Sequence, residues 1–191
     1  MAWDDAGELF VGKSGEVYFA PVGTALPKPG DEPTAKLNAA FTGTGYLTED
    51  GVTPTFGSEV TEFGAWQIPD PIRRDREKQT AQFGFVMQQW NETNLVLAMG
   101  GKAEGTAGKF SYVPPSASDA LDEWSLVVDA VDGNVHQRFV VPRGNSTDDV
   151  ETILKRGEPG KLPVTFKSLA PDGGGPSWYL LSDAPGFAVG S

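Results

Sequence analysis

Short apolar runs that alternate with polar positions recur along this chain, and glycine or proline closes off most of them. Period-two alternation places one apolar face on a sheet, so each run predicts a half-buried strand. Residues 16–22 put Val17 and Phe19 on one face and Glu16 and Tyr18 on the other. In residues 80–89, Ala81, Phe83, Phe85 and Met87 oppose Thr80, Gln82, Gly84 and Gln88. Trp124, Leu126, Val128 and Ala130 line a third strand, and Asp132-Gly133-Asn134 turns it into a fourth that carries Val135, Phe139 and Val141. An Asp-Gly pair supplies the positive φ that a tight hairpin needs. Leu162, Val164 and Phe166 make a fifth strand, and residues 178–181 a short last one.

Helical periodicity is sparse. Asn91 is placed to cap residues 92–99, Leu95 and Met99 stand at i, i+4, and Gly100-Gly101 provide the stop. Two turns do not hold alone, so this helix must lie against a sheet. Residues 147–156 fit a helix through Val150, Ile153 and Leu154, or an edge strand through Val150, Thr152 and Leu154. Residues 23–45 hold three prolines and four glycines, too long a connection for an ordinary hairpin. No repeat and no shift in composition divides the chain, so one domain spanning 1–191 is expected, with an N-terminal arm 1–14 and a flexible C-terminal segment 170–191.

The charge and chemistry of the chain narrow the functional classes. It has no cysteine and a single histidine, His136, which excludes a disulfide framework, a thiol nucleophile and a structural zinc site. His136 reads as a solvated or hydrogen-bonded strand residue. A net charge of −11 argues against electrostatic grip on nucleic acid. No apolar stretch is long enough to cross a membrane as a helix, and the acidic start lacks a secretory pattern, which leaves the cytoplasm of the producing cell as the expected place of folding.

The glycine-lysine clusters at 100–102 and 105–109 fail the phosphate-loop pattern, because Ala103 and Phe110 stand where Ser or Thr is required. They read as a glycine-rich loop after the helix. Residues 115–122 lack the ordered ligand spacing of a calcium loop. No nucleophile–base set emerges, so neither a catalytic group nor a cofactor is expected. Arg73, Arg74, Arg76 and Glu77, in the densest charge run, are candidates for ion pairs between subunits.

Residues 43–99 carry a more specific signal. They read Gly45-Tyr46-Leu47-Thr48-Glu49-Asp50-Gly51-Val52, then a strand Phe63-Gly64-Ala65-Trp66-Gln67, then the long strand from Lys78, then Asn91-Glu92-Thr93-Asn94. This resembles the major tail protein, the tail tube subunit, of long non-contractile-tailed bacteriophages. Residues 15–27 and 162–166 resemble that family's first and late strands. The resemblance implies a mainly β fold, a tail-tube-type sandwich or barrel with one short flanking α-helix, and it favours an extended segment over 148–156. It implies hexameric rings of the chain itself, stacked into a tube that delivers the genome.

The resemblance further implies a tape measure protein, a tail terminator and distal tail proteins as partners, with DNA met only in passage. The place implied is the virion tail, after assembly in the host cytoplasm. On this reading Leu26, Pro27, Pro29, Pro33, Leu37 and Phe41 of the long loop are candidates for contacts between rings. Residues 1–13, with Trp3, Leu9 and Phe10, are a second candidate. Glu49, Asp50, Glu59 and Glu62 are candidates for an acidic lumen that repels DNA phosphates. The competing classes are the inner tube of a contractile injection or secretion apparatus, and a β-sandwich binding or decoration module that uses exposed tryptophans. Trp66 and Trp124 both fall in strand patterns, where a core or interface role is expected.

Overall fold

The alternating segments become strands of one antiparallel sheet in the computed structural model, which describes residues 8–106, 108–146 and 148–187. Among the described residues ten strands and one α-helix follow in chain order: β1 Ser14–Pro21, β2 Thr42–Gly43, β3 Leu47–Ala65, β4 Ile68–Met87, α1 Glu92–Met99, β5 Lys102–Thr106, β6 Lys109–Val113, β7 Trp124–Asp132, β8 Val135–Ser146, β9 Leu162–Ser168 and β10 Tyr179–Ser182. The main sheet runs β2-β1-β7-β8-β9-β4-β3. β8 divides its second edge, pairing with β10 over Gln137–Val140 and with β9 over Gly144–Ser146. The β7–β8 hairpin forms where expected, with Gly133 at φ 62°.

The core collects the apolar positions of the alternating runs. Val17 and Phe19, Phe83 and Phe85, Leu126 and Val128, and Leu162, Val164 and Phe166 are buried in one cluster. Register explains the match: Val17 faces Val128, Phe19 faces Leu126, and Phe85 faces Val164, so a slip of one residue would expose the whole set. The sheet curls far enough that Phe56 on β3 reaches Phe139 on β8 and stacks on Trp178 at 4.2 Å. Leu95, Leu97 and Ala98 seat α1 on this cluster. The Asn91 side chain accepts from the Asn94 N–H at 2.8 Å, and the Gly100 N–H donates to the Val96 carbonyl at 2.8 Å. Buried Asn94 in turn donates to the Thr44 and Gln89 carbonyls, tying the helix start to both flanking loops.

The opposite face of β1, β7 and β8 is closed by the chain between β1 and β2. Arg138 crosses from this face, donating to both oxygens of Asp129 at 2.5 and 2.7 Å and to the Ala35 carbonyl at 2.5 Å. The Tyr179 hydroxyl donates to the Pro27 carbonyl, and burial pushes that phenol above its ordinary range. The long loop therefore lies along its own subunit's sheet.

Close approach makes one glycine indispensable. A Cβ at Gly144 would stand 2.4 Å from the Lys167 carbonyl oxygen and 2.5 Å from the Phe166 ring. Gly144→Ala must push β8 and β9 apart where they pair, a loss of about 1–3 kcal/mol by the usual cost of overpacking. Urea unfolding should show this as a lower midpoint at unchanged slope.

Three expectations need correction. The glycine-rich residues after α1 form the β5–β6 hairpin, with Ala103 opposite Tyr112 and the Tyr112 hydroxyl donating to the Gly100 carbonyl. Residues 148–155 are neither helix nor strand: Val150 packs on the core, while Ile153 and Leu154 stay exposed. One anchoring contact fixes no regular period, which is why both patterns fitted the sequence. Trp66 and Gln67 form the turn between β3 and β4, not part of a strand. Residues 1–7 with Trp3, and Thr147 and 188–191 from the other expectations, lie outside the described residues.

Candidate assembly surface

β3 and β4 have 19 and 20 residues, several times the usual strand length. Only the inner part of β4 is covered, because β9 pairs with it from Gln82 to Met87. Beyond the Gly57–Thr80 pair the two strands continue alone as a ribbon to the turn at Trp66. Eight residues of extended chain reach roughly 25 Å. No residue of this arm is buried. A lone two-stranded ribbon is marginal in water, so an arm of this length calls for a surface to lie on.

Pairing fixes what each face of the arm presents. Glu62 opposes Arg74 and Val60 opposes Arg76, so these four share one face with Ile72. Phe63 opposes Arg73 on the other face. Val60, Phe63, Ile68 and Ile72 are each about half exposed, and Trp66 at the tip is 100% exposed. Isolated exposed apolar residues are ordinary, but five on one uncovered arm, divided between its two faces and its tip, concentrate exposed apolar surface in the way that marks a contact site.

The ribbon also brings together two sets of residues that the sequence kept apart. Arg74 meets Glu62 at 2.7 Å and Lys78 meets Glu59 at 3.6 Å. Arg73 pairs with Asp75 at 2.8 Å, and the Thr61 hydroxyl donates to Glu77. Two of the carboxylates expected in a lumen are thus answered within the subunit by neighbouring cations. Arg76 has no carboxylate partner among the described residues.

Glu49 and Asp50 lie elsewhere, at the base of β3. The β3–β4 register shifts between Leu47 and Val52, and these two carboxylates stand exposed on the resulting bowed segment. They border a groove of about 1020 Å³ between β1 and the base of β3, floored by Val17, Val52, Val128 and Phe139. Glu16 borders the groove through its backbone position, while its carboxylate turns to the opposite face of β1 and accepts from Tyr18, whose phenol is pushed up to about 12 by that hydrogen bond, by burial and by the Glu16 charge.

The loop candidates divide by exposure. Pro27 and Pro33 are buried against the subunit itself, Leu26, Leu37 and Phe41 are half-buried, and Pro29 is exposed. In the N-terminal arm Leu9 is exposed, while Lys13 pairs with Asp132 at 2.6 Å and, with the Val11 N–H, holds that carboxyl below the usual range. Among the described residues no cluster of three metal-ligating side chains occurs, and no helix is long and apolar enough to cross a membrane.

An overgrown, uncovered hairpin thus extends from an otherwise packed sheet. The phage tail tube protein family matches residues 1–189. The chain belongs to that family. It is also 26% identical over 197 residues to the major tail protein Gp23 of Mycobacterium phage D29, covering 98% of this chain and 96% of that one. The tail tube subunit is therefore a structural tail protein.

The sequence did hold a signal for the arm. Ile72, Arg74 and Arg76 alternate with Arg73, Asp75 and Glu77, so that neither face is apolar throughout. A long strand without an apolar face has no core to sit on.

Proposed function

We propose that this tail tube subunit forms hexameric rings that stack head to tail into a hollow tube, and that the genome passes through it during delivery. The arm carries this reading, since a single subunit leaves it bare on every side. Heterologous contacts, in which one patch meets a different patch on the next copy, generate closed rings and open stacks. The role is mechanical and needs no catalytic group. The tape measure, terminator and distal tail proteins are the partners that set the length and ends of such a tube, which is built in the host cytoplasm and works in the virion tail.

Exposed residues of the long loop, Pro29 foremost, supply contacts between rings, with the half-buried Leu26, Leu37 and Phe41 behind them and buried Pro27 and Pro33 shaping the loop. The charge of −11 suits a passage for a polyanion. Glu59 and Glu62 contribute little to it while paired with Lys78 and Arg74.

Negative-stain microscopy of the purified chain, alone and with the tail initiator complex of its phage, tests the reading. Six-fold rings or hollow tubes are expected. Dispersed particles under both conditions, at high concentration, would overturn it.

A further inference from the structure

The groove beside β1 has the features of a receptor for the arm. Among the described residues β1 pairs over Ser14–Glu16 only with β7, because β2 reaches no further than Tyr18 and Phe19. Across the groove the bowed segment of β3 has no partner on β4. The gap is thus bounded by two incompletely paired strand edges and floored by apolar side chains. Extended chain added to such an edge gains main-chain hydrogen bonds along with side-chain contacts.

Charge selects the occupant. Glu49 and Asp50 on the rim have no cationic partner among the described residues, and Lys13, also on the rim, is held by Asp132. The arm carries the densest run of cations in the chain. Arg73 and Arg74 lie some three residues behind the tip on the Phe63 and Glu62 pairs, about 10 Å back along the ribbon. Their present ion pairs are more than 40% exposed on both sides, so exchanging one carboxylate for another costs little. The tip itself offers Trp66 and Ile68, exposed apolar side chains that can lie over the half-buried Val52 and Phe139 of the groove.

We propose that Trp66 at the tip of the β3–β4 arm seats in the β1–β3 groove of a second copy of this chain, with Arg73 and Arg74 meeting Glu49 and Asp50 at its rim. The inference rests on the assembly reading above and gives it a specific contact. It also assigns Glu49 and Asp50 to a joint between copies, so that other carboxylates supply any acidity of the lumen. Because tip and groove are different patches, the contact propagates from copy to copy and does not close on a pair.

The absence of native cysteine makes the contact directly readable. Tubes are assembled from an equal mixture of two single-cysteine chains, Trp66→Cys and Gln137→Cys, the latter lining the groove, and then oxidised. A disulfide-linked pair of the two chains is expected, and none when Lys36→Cys on the long loop replaces Gln137→Cys. Linking to the loop, or to neither, overturns the proposal.

Charge exchange gives an answer even if Trp66→Cys blocks assembly. Glu49→Lys with Asp50→Lys should raise the concentration needed for tubes at least about tenfold, and so should Arg73→Glu with Arg74→Glu. All four changes together should restore it; failure to restore overturns the pairing. If the unaltered chain makes no tubes under any condition, the assembly reading falls, and this contact with it.

Discussion

Deleting residues 58–79 and joining Gly57 to Thr80 through an Asn-Gly turn should leave a folded subunit that makes no tubes. Gly57 and Thr80 are direct partners across the ribbon, so a two-residue turn spans them in register. Everything that holds the sheet lies inward of the cut. Ala81, Phe83, Phe85 and Met87 are buried, and β9 pairs with β4 from Gln82 onward. The deleted residues bury nothing in the free subunit, so its melting temperature should move by no more than a few degrees, the equivalent of about 1 kcal/mol or less. Assembly should be lost altogether, because five exposed apolar residues and four cations go at once. Thermal unfolding followed by circular dichroism, beside microscopy of the same sample, separates the two effects. Tubes of normal appearance from the shortened chain would remove the arm from any role in assembly.

Arg138→Ala should have the opposite profile, a large loss of stability in the subunit itself. The Arg138 side chain is 7% exposed and Asp129 21%, and they share two hydrogen bonds. Removing one member leaves a carboxylate without its counter-charge beneath the long loop, a change that typically costs 3–5 kcal/mol. The partial exposure of Asp129 argues for the lower end, about 3 kcal/mol, because water can reach the stranded charge. The same substitution removes the donor to the Ala35 carbonyl, so the loop should also become a site of early proteolysis. Equilibrium unfolding in urea gives the magnitude; a loss under about 1 kcal/mol would mean that Arg138 is no anchor. Replacing both residues with apolar ones of similar volume should recover most of the loss, as it commonly does for buried ion pairs.

The two outcomes differ because the molecule divides its apolar surface. Inward of the Gly57–Thr80 pair, apolar side chains meet one another across the curled sheet and stabilise the subunit. Outward of it, Val60, Phe63, Ile68 and Ile72 leave about half of their surface exposed and Trp66 all of it. An arm that contributes nothing to folding is free to contribute everything to association. The pair of prolines near its tip, Pro69 and Pro71, fits that role, since each removes an N–H from an edge that stands open before assembly.

By itself the sequence determined the sheet and the class of protein. Alternation in β9 and the inner half of β4 leaves one side for burial, so the identities of Phe83 and Phe166 settle which way those strands face, whereas β7 and β8 bury both faces through Leu126 and Val127 and through Val140 and Val141. The Asn91 cap and the Gly100 stop marked α1 through local hydrogen bonds that need no tertiary context. The motif residues over 43–99 pointed to the tail tube family for the same reason: they are contiguous.

Only the tertiary structure decided where the remaining groups stand. Pairing across the ribbon set Glu62 beside Arg74 and Glu59 beside Lys78, which linear spacing of twelve and nineteen residues cannot reveal. Packing settled residues 148–155 as irregular chain with Val150 as an anchor, where two periods fitted equally. It brought Arg138 to Ala35 and Tyr179 to Pro27, laying the proline-glycine loop along its own sheet. And it left Trp66 in the open, because burial belongs to the neighbours that a strand acquires, and the tip of the outer arm acquires none within the described chain.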